Sequence, residues 1–198
     1  MFKTLLLGSR NPGKLVEIVT ILGDVGLELR SLRDFPEVGI SPEEADTYAD
    51  NAIQKARFYA AATGLTALAD DSGLEVEALN GRPGVLSARY AGDGATDADR
   101  RSLLLSELEA SRTTNRNARF LCSVAISTPE GTILGLFEGI CEGQITHLER
   151  GTSGFGYDPI FIPNGYNQTF AELSEEIKNQ ISHRAKALKL AQAFLQPL

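Results

Sequence analysis

The sequence has two cysteines, two histidines and no apolar run long enough to cross a bilayer, and each scarcity removes a class of function. Cys122 and Cys141 lie far apart, each in an apolar stretch, and read as reduced core residues. Neither a disulfide framework nor a metal-ligand spacing is present. The N-terminal apolar stretch Met1–Leu7 breaks at Gly8-Ser9-Arg10, too brief for a signal peptide or a membrane span. A cytoplasmic protein with no membrane partner is the expectation. Basic charge is short as well, with 19 Lys+Arg against 26 Asp+Glu and a net charge of −7. Nucleic acid and anionic surfaces would be repelled, whereas a small polyanion could be held by local basic residues or a divalent cation. No internal repeat, low-complexity tract or linker stands out. What is there is 198 residues with 42% hydrophobic content, enough for one globular domain with a substantial core.

The first half alternates strand and helix. Phe2–Leu7 reads as a buried strand, and Leu15, Ile18, Val19 and Leu22 give the next segment an apolar helical face. Leu27–Leu32 fits a second strand, followed by an acidic loop over 34–46. The alanine-rich stretch Tyr48–Thr63 predicts a helix closed by Gly64, with Ala52, Ala56, Tyr59 and Ala60 on related faces. The strand from Thr66 follows. Segment 81–94 is rich in turn residues, and Asp97–Leu108 predicts a helix with an acidic start. Arg119–Thr128 and Thr132–Cys141 then read as a hairpin across Pro129-Glu130-Gly131. A last helix from about Ser182 to Leu195 presents Ala185, Leu188 and Ala191 to the core. The pattern predicts an α/β protein with a mixed sheet.

Four segments carry chemistry. The strand ending in Asp70-Asp71-Ser72-Gly73 delivers two carboxylates, which strand alternation sends to opposite faces; Asp71 is taken as the one facing a cation, with Ser72 and Gly73 leaving the strand in a turn. The same letters also fit a turn with solvated acids. Ser9, Arg10, Asn11, Pro12, Gly13 and Lys14 lie between strand and helix, where free N–H groups and the helix dipole attract phosphate. The spacing is not that of a Walker loop. Glu43 and Glu44 in the acidic loop could bring another carboxylate to a Mg²⁺ ion, which takes one or two carboxylates plus waters and phosphate oxygens. Gly151 to Pro159 offers Phe155, Gly156, Tyr157 and Asp158, an aromatic loop suited to stacking a planar base, or to covering a core. Lys178, His183 and Arg184 supply hydrogen-bond donors beside it.

These segments, in this order, resemble the inosine triphosphate pyrophosphatase family, also called Ham1-like. The resemblance spans nearly the whole chain, through Ser9-x-Asn11-x-x-Lys14, Asn51-Ala52, Ala69-Asp70-Asp71-Ser72-Gly73-Leu74, Pro83-Gly84, Ser87-Ala88-Arg89-Tyr90, Phe155-Gly156-Tyr157-Asp158-Pro159 and Ser182-His183-Arg184. It implies a single ITPase-like domain over 1–198, built on a mixed, twisted sheet with flanking helices and two lobes around a cleft. It implies hydrolysis of ITP, dITP and XTP to the monophosphate and pyrophosphate, a Mg²⁺ cofactor and a homodimer. By position, Asp71 is the proton acceptor and a metal ligand, Ser9 to Lys14 embrace the triphosphate, and Ser72 touches substrate. Phe155 to Asp158, Lys178, His183 and Arg184 line the nucleoside side. One departure concerns Glu43-Glu44-Ala45-Asp46-Thr47-Tyr48, one residue shorter than the family pattern. Aligned from the preceding loop it selects Glu44 as the second metal ligand, and aligned from Asn51 it selects Glu43; Glu44 is preferred because loops absorb deletions.

The expected mechanism has Asp71 orienting or deprotonating water for in-line attack at the α-phosphorus. Arg184 would donate to a 6-oxo group, which adenine lacks. Guanine shares that group, so discrimination against it lies near C2. Two competing readings are a phosphatase releasing orthophosphate and a nucleotide-binding module without turnover.

Overall fold

The described residues of this computed structural model are 2–23 and 25–196; Met1, which begins the N-terminal apolar stretch, lies outside them. The elements are β1 (Thr4–Leu7), α1 (Pro12–Leu22), β2 (Glu28–Ser31), α2 (Tyr48–Thr63), β3 (Thr66–Val76), α3 (Asp97–Ala110), β4 (Asn117–Ser127), β5 (Ile133–Ile145), β6 (Phe161–Pro163), α4 (Glu175–Ile181) and α5 (His183–Leu195). The six strands are ordered β2-β1-β3-β4-β5-β6. β1 pairs in parallel with β2 and β3, and β5 pairs antiparallel with β6, so the sheet is mixed as the sequence predicts. The β4–β5 turn closes through Thr128 N to Thr132 O at 2.9 Å and Gly131 N to Thr128 O at 3.0 Å.

Local chemistry explains most boundaries. Asn11 caps α1, its Oδ1 accepting from Lys14 N at 3.1 Å, and Pro12 occupies the first helical turn. α2 ends at Gly64 with φ +70°, a left-handed cap that glycine adopts without strain. α3 is capped by Thr96, one residue before the expected acidic start, in a reciprocal box with Asp99.

Two expectations are corrected. β3 does not turn away after Asp71 but stays extended to Val76. Leu74 and Val76 resume the buried alternation beyond Gly73, and Ser87 Oγ accepts the Leu74 N–H at 2.9 Å. On α1 the buried face is Ile18, Ile21 and Leu22, while Val19 points outward. α4 and β6, seven and three residues long, were not distinguished in the sequence because neither spans enough turns or alternations to show a period.

The chain divides into two compact units. The first comprises Met1–Asp71, Cys122–Gly139 and Arg184–Leu198; the second comprises Ser72–Leu121 and Ile140–His183. In the first unit, Leu5, Leu7 and Leu68 pack with Ile18 and Leu22 of α1, Val124 and Ile126 of β4, and Ala185, Leu188 and Ala191 of α5. Alternate residues serve other clusters: Leu6 and Ala67 meet Tyr59 and Ala60, and Ala69 meets Ala52 and Ala56, all from α2. Each fully buried leucine here contributes about 1.5–3 kcal/mol of transfer free energy. The second unit has its own core, including Leu74, Val76, Leu104, Leu108, Phe120, Phe161 and Phe170. Both cysteines are buried and unbridged, as the sequence predicts.

Candidate functional site

The period of β3 decides what its two carboxylates do. Asp70 continues the side of Leu68, toward α1 and α5, and Asp71 continues the side of Ala67 and Ala69, toward α2. Accordingly Asp70 Oδ2 pairs with Lys14 Nζ of α1 at 2.9 Å and Arg184 Nε of α5 at 3.2 Å. Asp71 Oδ1 lies 3.8 Å from Lys55 Nζ of α2. The same ammonium is 2.8 Å from Glu43 Oε1. Asn51, one turn before Lys55, pins the acidic loop to the helix: its Oδ1 accepts from Ala45 N at 3.0 Å and its Nδ2 donates to Ala45 O at 3.2 Å. These two bonds tie the end of the acidic loop to Asn51. Of the two candidates, the half-buried Glu43 shares the Lys55 ammonium with Asp71, while Glu44 is exposed.

The charges respond to these neighbours. Burial pushes the Asp71 carboxyl up; the lysines at 55 and 14 oppose this, and Glu43 and Asp70 reinforce it, leaving it above the ordinary carboxylate value. Asp70 goes the other way. Burial alone would raise it, but Lys14 and Arg184 more than offset that and hold it well below the usual range. Lys55 is raised, since Asp70, Asp71 and Glu43 outweigh its own burial, so it stays charged. A carboxylate made more basic by burial, and oriented by a fixed ammonium, is suited to accepting a proton from water.

The oxygen donors of Asp71 and Glu43 fit a hard cation. Among the described residues no three His, Cys, Asp or Glu side chains are grouped to hold a metal. A Mg²⁺ site does not require such a group, because one or two carboxylates suffice when water and phosphate oxygens complete the octahedron.

The predicted phosphate loop is a true strand-to-helix junction. Ser9 Oγ accepts from Asn11 N at 3.3 Å, and the exposed Arg10 donates to Val38 O. Lys14 is directed to Asp70. Gly8, just before the loop, donates its N–H to Leu68 O at 2.7 Å, an approach closed to any residue with a Cβ, which would stand 2.9 Å from Tyr59. Arg184, expected as a donor to a base, is buried, and its Nη1 lies 2.5 Å from Glu17 Oε2 in addition to the Asp70 contact. Its guanidinium plane is thus fixed from two sides.

In the second unit the aromatic loop is organised around Asp158. Its Oδ2 accepts from Phe155 N at 2.9 Å and Lys178 Nζ at 2.6 Å, and that ammonium sits 4.7 Å from the Phe155 ring centroid. Gly154 has φ +75°, and a Cβ there would meet Asp158 Oδ2 at 2.2 Å. Tyr157 is buried, its hydroxyl donating to Ser87 O at 2.9 Å. His183 stacks on Phe120 with centroids 4.6 Å apart and planes at 9°. Ser72 is half-buried within β3.

Sequence reasoning missed Lys55, Glu17 and Asp70 as parts of this arrangement. A lysine on the alanine face of α2, one turn from Asn51, was the available signal for Lys55. Glu17, one turn beyond Lys14, carried no comparable mark.

This site, on this sheet, defines an α/β protein with a carboxylate and lysine cluster beside a helix N-terminus. The Ham1 family profile matches residues 5–194, and the chain belongs to that family. A dITP/XTP pyrophosphatase of Desulforamulus reducens is 49% identical over 194 residues, covering 98% of this chain and 96% of that protein. One from Geobacter sulfurreducens is 47% identical, covering 96% of each. The solved structure of a Ham1 protein from Coxiella burnetii superposes with a TM-score of 0.90 at 43% identity, covering 98% of both chains.

Proposed function

We propose that this chain hydrolyses non-standard purine nucleoside triphosphates, namely ITP, dITP and XTP, to the monophosphate and pyrophosphate. Family membership and relatives named dITP/XTP pyrophosphatase support the reaction. The observation that carries the chemistry is Asp71 and Glu43 sharing the Lys55 ammonium. Asp71 receives the proton of the attacking water, and Lys55 keeps that carboxylate oriented. Ser9 to Lys14 and Ser72 bind the phosphates, with α1 contributing its unpaired N–H groups. Phe155 to Asp158, Lys178 and His183 bind the nucleoside, and Arg184 donates to the 6-oxo group from a plane fixed by Glu17 and Asp70. Asp71 and Glu43 would hold Mg²⁺, which when bound supplies charge neutralisation on the phosphates. The whole chain acts as one ITPase-like domain, as a homodimer in the cytoplasm, without nucleic-acid or membrane partners. Among the described residues, no helix is long and apolar enough to cross a membrane.

Product analysis tests this reading. ITP incubated with Mg²⁺ and the protein should give IMP and pyrophosphate. IDP with orthophosphate, or no product, would overturn it. Light scattering tests the dimer.

A further inference from the structure

We propose that Asp97 and Arg101 are positioning residues for nucleoside recognition, acting through the Gly156 peptide; the assignment rests on the function proposed above. Gly156 is the residue between Phe155 and Tyr157, and its φ of +60° is a left-handed conformation that glycine adopts without strain. Both of its hydrogen-bonding groups are taken by the start of α3. Its N–H donates to Asp97 Oδ2 at 2.8 Å, and its carbonyl accepts from Arg101 Nη1 at 2.8 Å. Asp97 and Arg101 stand four residues apart on one helical face, so a single turn of helix grips one residue by both ends. Each clamp residue is itself braced. Arg100 Nη2 lies 2.5 Å from Asp97 Oδ1, and Arg101 Nη2 donates to Glu149 Oε2 at 3.0 Å.

Further along the same face of α3, Leu104 and Leu108 enter the core of the same unit, which anchors the helix carrying the clamp. Inside the loop, Asp158 fixes the Phe155 N–H and the Lys178 ammonium, and the clamp holds the intervening Gly156 peptide. Without the clamp, a glycine with access to both signs of φ would leave Phe155 held through Asp158 alone, with its ring less narrowly oriented. The chemistry at Asp71 would be untouched. The expected signature is weaker capture of the base with intact turnover.

The experiment compares Asp97→Ala and Arg101→Ala with Asp97→Asn and Arg101→Lys. Asparagine keeps an acceptor for the Gly156 N–H, and lysine keeps a donor for its carbonyl. Three quantities are read: kcat and KM for ITP, inhibition by inorganic tripolyphosphate, which has no base, and amide hydrogen exchange over 154–158. The alanine variants should raise KM for ITP about tenfold, the size expected for one charge-assisted hydrogen bond, with kcat within about twofold. Tripolyphosphate inhibition should stay unchanged, Gly156 should exchange faster, and the conservative variants should recover most of the loss. Unchanged KM, or tripolyphosphate weakened in parallel with ITP, overturns the proposal. Should an alanine variant fail to fold, Asp97→Ser or Arg101→Gln takes its place. If the wild-type protein released no IMP from ITP, the functional reading itself would fall. Exchange at Gly156 would still decide the clamp, since unchanged protection in the Asp97 variant refutes it.

Discussion

Lys55 is shared by Glu43 and Asp71, so the two carboxylates cannot be exchanged without consequence. Replacing Asp71 by Asn removes the proton acceptor and should lower kcat by about 10²–10⁴. Folding already disfavours the charged form of Asp71, so a neutral isostere costs the fold nothing on that account, and the melting temperature should hold. Glu43→Gln should raise the Mg²⁺ concentration for half-maximal activity, whereas Glu44→Gln, at an exposed position, should leave it unchanged. A Mg²⁺ titration of both variants decides between them. Arg184 carries a different burden. Truncation to Ala would leave Glu17 and Asp70 buried without their shared cation, a loss of about 3–5 kcal/mol readable by denaturant unfolding. Any change of base selectivity in that variant has to be measured well below its new melting point.

At the scale of elements, β3 and its surroundings set the tolerances. Gly8 packs its backbone against Leu68 O, Tyr59 and Ala69, so Gly8→Val should be destabilising by about 1–3 kcal/mol, as overpacked sites are; circular dichroism melts would register it. The strand and helix alternation, the α2 cap at Gly64 and the hairpin were legible because each rests on local chemistry or a period of several repeats. The continuation of β3 past Gly73 was not. Ser72-Gly73 carries a turn signature, and it took Ser87, a partner distant in sequence, to keep the strand extended. Counting residues left Glu43 and Glu44 both open for a similar reason, since Asn51 fixing Ala45 is a contact between side chain and loop that counting cannot reveal.

For the whole molecule, the scarcity of cysteine becomes measurable. Burial, with Asp70 nearby, pushes the Cys122 thiol up to about 12, and Cys141 is also enclosed. Cys122 therefore presents no thiolate at pH 8, and because both sulfurs are buried a disulfide-exchange reagent should titrate neither thiol in the native protein and both after denaturation. The family motifs were readable along the entire chain. The burial of Arg184 was not, because its carboxylate partners come from α1 and β3 and are remote in sequence. A final consequence follows from where the chain passes between its two units: inside β3 after Asp71, inside β4 after Leu121, inside β5 after Gly139, and at the first residue of α5. Neither unit corresponds to an unbroken stretch of the gene. No single truncation can therefore excise one intact, and a split-protein design cut at any of these crossings would sever a hydrogen-bonded ladder or a helix start instead of a dispensable tether.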